Sequence, residues 1–571
     1  MADPNKYAAL AGPPGQKTND SLRRIAYLSM EVGVDERMPN YSGGLGVLAG
    51  DTLKSAADMR IPLVAVSLVS SKGYFTQDLD EWGNQIESAT DWNPAEYAHP
   101  LTPIVEVFIE GRPVALRAWQ YDVVGNSGFV VPLFLLDTNV EKNNSRAREL
   151  TSWLYGGDAD YRLAQEIILG IGGVRMLRAL GFTHLERFHL NEGHAALLAL
   201  ELLREGKAPG TATWDFSDVR ERCVFTTHTP VPAGHDRFDY ELVRRVLGDF
   251  LPFDLLRMLG GSDQLNMTLL ALNTSKYVNG VAKKHGQVSQ EMFPGYAIDS
   301  ITNGVHSPTW TSESFKYLFD RFVTGWAKDP CSLRHAINIP TGEIWHAHEI
   351  EKRSLIEEVK RLTGESLDPG VFTIGFARRA TEYKRSTLVF SDPNALLEIA
   401  RTVGPIQLIF AGKAHPKDHG GKEAIRRIVA MAKSLGNLVK VVYLPNYGMA
   451  LAKLLTAGVD LWLNTPLRPQ EASGTSGMKA AHNGVPSLSV LDGWWIEGNI
   501  EGVTGWSVGG EKESSSTDAG HLYQRLRLLI VPMYYRHPEQ WRQVMRQAIA
   551  FNASYFNTHR MVQQYVTNAY F

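Results

Sequence analysis

Short apolar runs rich in β-branched residues alternate with helix-patterned segments along nearly the whole chain, and this alternation restricts the possible folds most strongly. Such runs are typical of buried strands, and their alternation with helices favours an α/β fold with parallel sheets. In the second half the pattern is regular enough to predict a doubly wound domain. Its predicted strands are residues 372–376, 407–410, 439–444, 460–463 and 487–491, with helices at 424–433, 450–456 and 477–482.

The first half has the same alternation with one interruption. Its predicted strands are residues 25–30, 63–69, 129–136 and 224–226, and its clearest helices are 163–177 and 195–203. Residues 104–123 differ because they alternate in polarity and turn at Glu110-Gly111. This pattern predicts an antiparallel β-hairpin inserted in the sheet.

A chain of 571 residues is too long for a single hydrophobic core, so two or three domains are expected. Gly304 and Pro308 mark residues 303–308 as a hinge between the halves. We therefore predict one domain over residues 1–305 and a second over 306–550. Two such domains facing across a cleft bind ligands beyond the carboxyl ends of their strands.

The composition excludes several classes of protein. With 21% charged residues and a formal net charge of −3, the chain lacks the one-signed field that binds nucleic acid or anionic membranes in bulk. Its only cysteines are Cys223 and Cys331, which excludes a disulfide framework and a cysteine zinc cluster. Residues 1–19 lack the apolar core of a secretion signal, and no apolar run approaches the length of a membrane span. We expect a cytoplasmic protein.

The segment that points most directly to chemistry is residues 471–479, with the sequence EASGTSGMK. Small and hydroxyl-bearing residues lead from a predicted strand to Lys479, which lies in a predicted helix. Glycine lets backbone N–H groups approach an anion, and a helix N-terminus favours negative charge. The segment therefore predicts a phosphate-holding turn, and a lysine just beyond it can bind an aldehyde cofactor covalently.

A basic segment, residues 378–385 (RRATEYKR), directly follows the predicted strand 372–376. In a doubly wound domain a polyanionic ligand binds at this strand end, which favours a binding role over a solvated basic face. Lys413 follows the predicted strand 407–410 and adds a cation at the same edge. The nearby His415 and His419 lie among Gly and Lys residues that indicate a surface loop, so we predict no metal site.

A glycine-rich loop in the first half, residues 43–50, has three possible roles. Its Gly44-x-Gly46-x-x-Ala49 pattern weakly matches a dinucleotide fingerprint, but no acidic ribose partner lies at the expected distance. A loop that opens a helix and binds a phosphate or a sugar fits better. The remaining alternative is a tight turn needed only for packing.

Histidines recur at predicted strand ends in the first half. His189 and His194 flank Glu192, yet their spacing differs from the His-Glu-x-x-His zinc motif. A turn that presents one polar side chain to the cleft is favoured over a zinc site. His228 has a similar setting, as does Asn303 in the hinge.

Together these segments resemble the α-glucan phosphorylases, the family of glycogen, starch and maltodextrin phosphorylases. The resemblance runs from about Ile25 to the end and is most specific at residues 471–479, 379–385 and 43–46. It is closest to the short bacterial form. The resemblance implies two facing Rossmann-like domains of GT-B type with a deep cleft between them, and a C-terminal helix over 551–571 that crosses back to the first domain.

The resemblance also implies an activity. Members are pyridoxal 5′-phosphate-dependent glycosyltransferases that move the terminal α-1,4-linked glucose of glycogen or maltodextrin reversibly to inorganic phosphate. The product is α-D-glucose 1-phosphate, formed with retention of configuration. The implied partners are therefore the glucan, phosphate and glucose 1-phosphate, and a homodimer is expected because related enzymes are often dimers.

The resemblance assigns roles residue by residue. The cofactor is expected to be held by Lys479, with Thr475, Ser476 and Gly477 on its phosphate and with Arg378 and Tyr447 in its pocket. The implied catalytic residues are Arg379, Lys384, Glu471 and His194. The implied substrate-binding residues are Gly44, Leu45, Asn303, Tyr383, Ser473 and Gly474.

The cations suit a chemistry carried by phosphates. In this family the phosphate of the cofactor acts next to inorganic phosphate, and two neighbouring dianions repel unless they are neutralised. Arg378, Arg379 and Lys384 supply that neutralisation.

In three places the chain departs from familiar members of the family, which carry Gly-Asn at Ser476-Gly477, asparagine at Ser42 and tyrosine at Gly33.

Two alternatives stay open at this point. A nucleotide-sugar-dependent glucan synthase of the same fold needs the cations but not Lys479. A non-catalytic glucan-binding protein is the other alternative, because tryptophans such as Trp494 and Trp495 can stack on sugars. The same tryptophans are equally suited to a hydrophobic core.

Overall fold

The structure is a computed structural model, and it describes residues 23–90, 92–207 and 213–571. The prediction about a secretion signal concerns residues 1–19, which lie outside these ranges. Among the described residues, no helix combines the length and the apolar character needed to cross a membrane.

The secondary structure of the described ranges follows the predicted alternation. The strands are β1 (Ile25–Ser29), β2 (Leu63–Leu68), β3 (Thr76–Leu79), β4 (Gln85–Ser88), β5 (His99–Pro100), β6 (Val105–Ile109), β7 (Arg112–Val124), β8 (Val130–Asp137), β9 (Arg187–Asn191), β10 (Cys223–Thr226), β11 (Arg237–Asp239), β12 (Gln264–Asn266), β13 (Tyr277–Gly280), β14 (Asp299–Ser300), β15 (Phe372–Ala377), β16 (Ile406–Ala411), β17 (Val439–Leu444), β18 (Leu461–Asn464), β19 (Ser487–Val490) and β20 (Gly505–Val508). The α-helices are α1 (Gly44–Asp58), α2 (Ser145–Arg148), α3 (Ala159–Ile167), α4 (Gly173–Ala179), α5 (Leu198–Gly206), α6 (Phe216–Arg222), α7 (Tyr240–Val246), α8 (Phe253–Gly260), α9 (Met267–Thr274), α10 (Lys283–Met292), α11 (Ser307–Trp310), α12 (Glu313–Phe322), α13 (Thr341–Thr363), α14 (Pro393–Thr402), α15 (His419–Leu435), α16 (Met449–Gly458), α17 (Ser476–Ala481), α18 (Trp495–Gly498), α19 (Asp518–Arg525), α20 (Val531–Arg536), α21 (Pro538–Gln547) and α22 (Thr558–Tyr565).

The first half of the chain forms a mixed sheet in the order β14-β13-β10-β9-β1-β2-β8-β7-β5, with β6 paired to β7. The strands from β14 to β8 are parallel to one another, and β7 runs antiparallel to β8. Strand β1 lies inside the parallel part of the sheet. In chain order, β2 and β8 are added on one side of β1, and β9 and β10 are then added on its other side. This reversal creates a topological switch point between β1 and β9.

The antiparallel hairpin predicted at residues 104–123 is confirmed as the pair β6 and β7. Its turn places Glu110 and Gly111 at positive φ, 53° and 70°. Two consecutive residues with positive φ form the kind of turn whose twist matches that of the flanking strands.

The second half forms a fully parallel sheet in the order β17-β16-β15-β18-β19-β20. Every residue of β15 and β16 is buried, as expected for strands covered by helices on both faces. In chain order, β16 and β17 are added on one side of β15, and β18, β19 and β20 are then added on its other side. The second sheet therefore has its own switch point between β15 and β18. The predicted α/β class with parallel sheets is confirmed.

The end of the chain packs on the first sheet. The Ser55 hydroxyl of α1 lies 2.5 Å from the Thr558 hydroxyl of α22, and the Tyr570 hydroxyl lies 2.6 Å from Nδ1 of His189 in β9. A Cβ added to Gly304 would lie 2.2 Å from the backbone of Asn557. Only glycine therefore permits this close approach between the predicted hinge and the last helices.

Candidate active site

The side chains predicted to be functional lie beyond the carboxyl ends of the strands that flank the switch points. Arg378 and Arg379 directly follow β15, and the segment 471–479 follows β18 after a loop. In the other sheet, His194 follows β9, and Glu31, which the sequence did not single out, follows β1. Ligands of doubly wound sheets bind at these strand ends.

The two halves of the chain contact each other near these strand ends. The Tyr41 hydroxyl accepts a hydrogen bond of 2.9 Å from the backbone N–H of Met449. The Asp51 carboxylate of α1 accepts a bond of 2.7 Å from the Trp310 indole. The glycine loop and its helix are thereby connected to the second half of the chain.

Lys479 has the environment of a reactive amine. Its side chain is buried with 7% exposed, and Nζ lies 3.7 Å from the centre of the Trp310 ring. Within the described ranges, Nζ has neither a hydrogen bond nor an ion pair. Burial lowers the pKa of Lys479 to about 8, partly opposed by the charge of Asp51. About a tenth of the amine is therefore neutral and nucleophilic at pH 7, far more than for an unperturbed lysine.

The turn before Lys479 has the features of an anion-binding segment. Thr475 precedes α17, and its hydroxyl forms no hydrogen bond to another described residue. The Ser476 hydroxyl accepts a bond of 3.1 Å from the Trp462 indole, so its position is fixed. A Cβ added to Gly477 would lie 2.7 Å from the Trp494 ring, which explains the glycine. Trp494 and Trp495 are buried core residues at 2% and 0% exposure.

Glu471 joins two of the predicted cations. Its carboxylate lies 2.7 Å from the Arg378 guanidinium and 2.6 Å from Lys384 Nζ, and all three side chains are buried or nearly so. Burial alone would raise the pKa of Glu471, but the charges of Arg378 and Lys384 outweigh it and lower this pKa well below its ordinary value. Burial and the charge of Arg378 also lower the pKa of Lys384.

Substituting Glu471→Gln is expected to reduce the free energy of unfolding by about 3–5 kcal/mol, because two buried cations would lose the carboxylate with which they form ion pairs. The measurement is urea denaturation at pH 7. Since the pKa of Glu471 is depressed in the folded state, its contribution is complete above its unfolded pKa near 4.5 and is lost as the pH falls further. The difference between the wild type and the variant should therefore narrow below pH 4.5.

Glu186→Gln is the matched control, because Glu186 pairs with Arg24 at the surface with both side chains nearly half exposed. The free energy of unfolding lost in Glu186→Gln should stay below about 1 kcal/mol. Equal losses in the two variants would contradict a special role for the buried carboxylate.

Arg379 is exposed and, within the described ranges, makes no hydrogen bond or ion pair. Its charge lowers the pKa of Glu31, Tyr74 and His415, in each case as a smaller contribution than burial. A Cβ added to Gly412 would lie 1.9 Å from the Arg378 carbonyl oxygen, so only glycine lets the loop after β16 approach this segment. Arg379 is thus a cation available to a ligand at the strand ends.

The glycine loop is held by the buried carboxylate of Glu31. This carboxylate accepts hydrogen bonds from the backbone N–H groups of Ser42 at 2.5 Å and Gly43 at 3.3 Å, and from the Tyr155 hydroxyl at 3.0 Å. Burial raises the pKa of Glu31, although these bonds oppose it. Gly44 and Leu45 begin α1, and the N–H groups of a first helical turn have no partner within the helix.

Three predicted site residues carry buried polar atoms without a hydrogen-bond partner among the described residues: Ser473 Oγ, Asn303 Oδ1 and His194 Nδ1. Buried polar groups in proteins are usually paired, so a ligand is a natural partner for such atoms. Burial lowers the pKa of His194 to about 3, with a further contribution from Arg162. The ring of His194 is therefore neutral at pH 7.

Of the remaining predicted residues, Gly474 and Tyr383 lie near Glu471, and Tyr447 lies near Arg378. Gly474 has a φ of +87°, which favours glycine, and lies against the Glu471 side chain. Burial raises the pKa of Tyr383, helped by the charge of Glu471. Burial also raises the pKa of Tyr447, which the charge of Arg378 opposes. The space beside Gly33 is filled by the ring of Tyr41, 3.3 Å from where a Cβ would lie.

Besides Glu31, two residues that shape the site had no clear sequence signal. Trp310, which covers Lys479, lies far away in sequence and belongs to no motif. Asp492 accepts hydrogen bonds from the N–H groups of Glu471 at 2.8 Å and Gly493 at 2.9 Å. Burial raises the pKa of Asp492 to about 7, and the charge of Glu471 adds to this.

Comparison with known proteins agrees with this geometry. Residues 254–505 match the family described as carbohydrate phosphorylase. The chain is 41% identical to the maltodextrin phosphorylase of Thermococcus litoralis, over 96% of this chain and 70% of that protein. It is 38% identical to the glycogen phosphorylase of Mycobacterium tuberculosis, with the same coverage, and 35% identical to that of Aquifex aeolicus, over 97% of this chain and 87% of that protein. The chain belongs to the carbohydrate phosphorylase family.

Proposed function

We propose that the protein is an α-1,4-glucan phosphorylase that releases α-D-glucose 1-phosphate reversibly, and with retention, from the ends of glycogen or maltodextrin. The observation that carries this proposal is the buried amine of Lys479, which lies beside an aromatic ring just beyond the Thr475 turn. A buried lysine without a direct ion-pair partner is costly and rarely serves packing alone. It suits an anchor for an aldehyde cofactor.

The proposed architecture is of GT-B type, with domains over residues 1–305 and 306–550 facing across a deep cleft and residues 551–571 crossing back to the first domain. Two sheets with separate switch points support this division. The contacts of Thr558 and Tyr570 with the first half support the crossing. A homodimer and a cytoplasmic location stay predictions.

The proposed cofactor is pyridoxal 5′-phosphate, and the donor set fits it. Lys479 would hold the aldehyde end, while the free Thr475 hydroxyl and the N–H groups of Ser476 and Gly477 would hold the phosphate. Arg378 and Tyr447 would line the pocket. When bound, the cofactor supplies a phosphate group able to exchange a proton with the substrate phosphate.

The substrate phosphate is proposed to bind between the two halves. Arg379 is a cation without an ion-pair partner among the described residues, and the N–H groups of Gly44 and Leu45 would face the same anion. Lys384 Nζ donates two hydrogen bonds to Glu471, at 2.9 and 2.6 Å. An ammonium group has three donors, so one is left for the phosphate. These residues orient the phosphate for proton transfer to the glycosidic oxygen.

The terminal glucosyl unit is proposed to bind to Glu471, Ser473, Gly474, His194, Asn303 and Tyr383. Three of these side chains have a buried polar atom that needs a partner, and the hydroxyls of glucose can both donate and accept. Glu471 is neutralised by Arg378 and Lys384, so it is positioned as a hydrogen-bond acceptor. No step requires it to act as a nucleophile.

The test is to incubate the purified protein with maltodextrin and inorganic phosphate and to measure glucose 1-phosphate, while recording the absorption of a bound aldehyde cofactor. We expect both signals. A glucan synthase would instead extend maltodextrin from a nucleotide sugar without cofactor absorption, and a non-catalytic protein would bind glucan and release nothing. Either of those results would overturn the proposal.

Substituting Glu31→Gln is expected to raise the KM for phosphate by about tenfold, because an amide N–H would face the N–H groups of Ser42 and Gly43 and displace the loop. The kcat for a saturated enzyme should fall less. Glu36→Gln is the control, since Glu36 pairs with Lys453 at the surface. An unchanged KM for phosphate in Glu31→Gln would show that the loop does not depend on this carboxylate.

A further inference from the structure

Asp51 of α1 is a buried carboxylate outside the set of predicted site residues, and it is only 1% exposed. One oxygen, Oδ2, accepts hydrogen bonds from the Trp310 indole at 2.7 Å and from the His306 backbone N–H at 3.1 Å. The other oxygen, Oδ1, is buried and has no hydrogen-bond partner among the described residues. Buried charges are costly unless they are paired, so this free oxygen indicates a partner that the two hydrogen bonds do not supply.

Trp310 brings Asp51 close to the proposed cofactor anchor. The indole N–H points at Asp51, whereas Nζ of Lys479 lies over the face of the same ring, 3.7 Å from its centre. The carboxylate and the amine are therefore neighbours, although they form no direct ion pair within the described ranges. In agreement with this geometry, burial lowers the pKa of Lys479 to about 8, and the charge of Asp51 opposes that effect.

The other titratable groups around this pair leave Asp51 available to Lys479. His306 directs its ring to Asp58, with Nε2 at 2.9 Å from the carboxylate, and offers Asp51 its backbone N–H. His482 lies one turn after Lys479, and burial lowers its pKa to about 4, so its ring is neutral at pH 7.

Lys54 is a second buried lysine near Asp51. Its Nζ donates a hydrogen bond of 3.2 Å to the Thr309 hydroxyl. Burial lowers the pKa of Lys54, which the charge of Asp51 opposes. Asp51 thus lies between two buried lysines, of which Lys479 is the one that has no hydrogen bond within the described ranges.

Helix α1 carries both Asp51 and residues proposed to bind the substrate phosphate. Gly44 begins the helix, and Asp51 lies seven residues later, two turns along the same face. A Cβ added to Gly50 would lie 2.0 Å from the Gly33 carbonyl oxygen, so only glycine lets this part of the helix approach the segment after β1. Since Lys479 belongs to the second half of the chain, the surroundings of its amine are completed by the first half.

We propose that Asp51 is the counter-charge of the Lys479 nitrogen and thereby a positioning residue of the cofactor site. Attachment of an aldehyde cofactor joins this nitrogen to the aldehyde carbon and releases one water, and it requires an amine that has lost its ammonium proton. The charge of Asp51 favours the protonated nitrogen. Asp51 therefore sets the pH range in which the cofactor is attached. This inference rests on the proposed function, in which Lys479 holds the cofactor.

The pH dependence of cofactor attachment tests this role. Cofactor-free protein is mixed with pyridoxal phosphate over a range of pH, reduced with borohydride, and the label on Lys479 is measured by mass spectrometry. In the wild type the rate should rise with a midpoint near the pKa of Lys479, about 8. Asp51→Asn keeps an oxygen for the Trp310 indole but removes the charge, so the midpoint should fall by about one pH unit. Ionisations of the free cofactor are the same for every variant and cancel in the comparison.

Two further variants separate the charge from the structure. Asp58→Asn removes another buried carboxylate of α1, which pairs with His306, and should leave the midpoint unchanged. Trp310→Phe removes the hydrogen bond to Asp51 and keeps both charges, so its midpoint should stay near that of the wild type. A shift in Trp310→Phe as large as that in Asp51→Asn would show that Asp51 acts only by holding the indole. Asp51→Ser is the second neutral variant if Asp51→Asn does not fold.

A second measurement does not use the cofactor. In the cofactor-free protein at pH 6, Lys479→Met is expected to raise the folding equilibrium constant. The increase should be about tenfold larger in the Asp51→Asn background, because a pKa lower by one unit makes the charged amine tenfold more costly. This difference should vanish as the pH approaches the unfolded pKa of 10.5. Equal increases in the two backgrounds would overturn the proposal.

The two proposals fail separately. If pyridoxal phosphate labels Lys479 with the same midpoint in the wild type and in Asp51→Asn, the counter-charge is wrong and the phosphorylase function is unaffected. If no label forms on Lys479 at any pH, while the gain from Lys479→Met depends on Asp51, the counter-charge stands and the phosphorylase function is wrong.

Discussion

Replacing Lys479 by alanine is expected to give a folded protein that holds no pyridoxal phosphate and releases glucose 1-phosphate more slowly by roughly a thousandfold or more. The buried amine has no oxygen partner in the described ranges, so its removal breaks no internal bond. What is lost is the attachment point of the cofactor next to the Thr475 turn. The measurements are the absorption spectrum of the purified variant and its rate of phosphorolysis.

Lys453→Ala is the control for this substitution, because Lys453 lies at the surface of α16, where it forms an ion pair with Glu36. It should keep both the cofactor absorption and the activity. If Lys479→Ala were purified with the full absorption and full activity, another residue would have to hold the cofactor.

Lys479→Met provides a second readout that does not depend on activity. Burial lowers the pKa of Lys479 to about 8, which corresponds to a cost on the order of 3 kcal/mol for keeping the amine charged in the fold. The cost is complete below pH 8 and disappears above the unfolded pKa of 10.5. In the cofactor-free protein, the methionine variant should therefore be more stable at pH 7, and the gain should vanish as the pH approaches 10.5. A variant less stable at pH 7 would contradict this.

Much of the fold could be predicted because buried parallel strands are short and uniformly apolar. The predicted strand at residues 439–444 has the same bounds as β17. The strand predicted at 372–376 is one residue shorter than β15 at its end, and the strand predicted at 407–410 is one residue shorter than β16 at each end. Several elements were missed, and a hairpin and a long helix among them show why. The hairpin of β3 and β4 is polar, since its shape comes from contacts of Gln77 and Gln85 with the second half of the chain. Helix α13 carries charged residues over most of its length and buries only a narrow stripe.

The residues of the candidate site also fall into two groups, those that the sequence could predict and those that it could not. Residues in local motifs, such as Lys479 and Arg379, were found from the sequence because turns and charges close to a strand end leave a local pattern. Trp310, Asp492 and Glu31 act through contacts between segments far apart in sequence, which no local pattern records. The ion pairs of Glu471 with Arg378 and Lys384 could not be anticipated either, because the sequence motifs do not reveal which charges face each other.

Substituting Arg379→Ala should separate activity from stability. Arg379 is exposed and unpaired within the described ranges, so its removal should change the free energy of unfolding by less than about 0.5 kcal/mol. The same change removes a cation oriented towards the proposed phosphate, and we expect kcat/KM for phosphate to fall by about a hundredfold to a thousandfold. Steady-state kinetics with varied phosphate and urea denaturation measure the two effects.

Arg385→Ala is the matched comparison, because Arg385 belongs to the same basic segment but its side chain binds other residues of the protein. Its guanidinium lies 2.5 Å from the buried Asp518 carboxylate and donates to the carbonyl oxygens of Thr465 and Pro466 at 2.9 Å. Its removal should lower the free energy of unfolding by about 2–4 kcal/mol. Because Arg385 is not expected to contact phosphate, the KM for phosphate of the remaining folded enzyme should change little. Reversed results, with Arg385→Ala losing phosphate affinity and Arg379→Ala keeping it, would show that the phosphate binds on the other side of this segment.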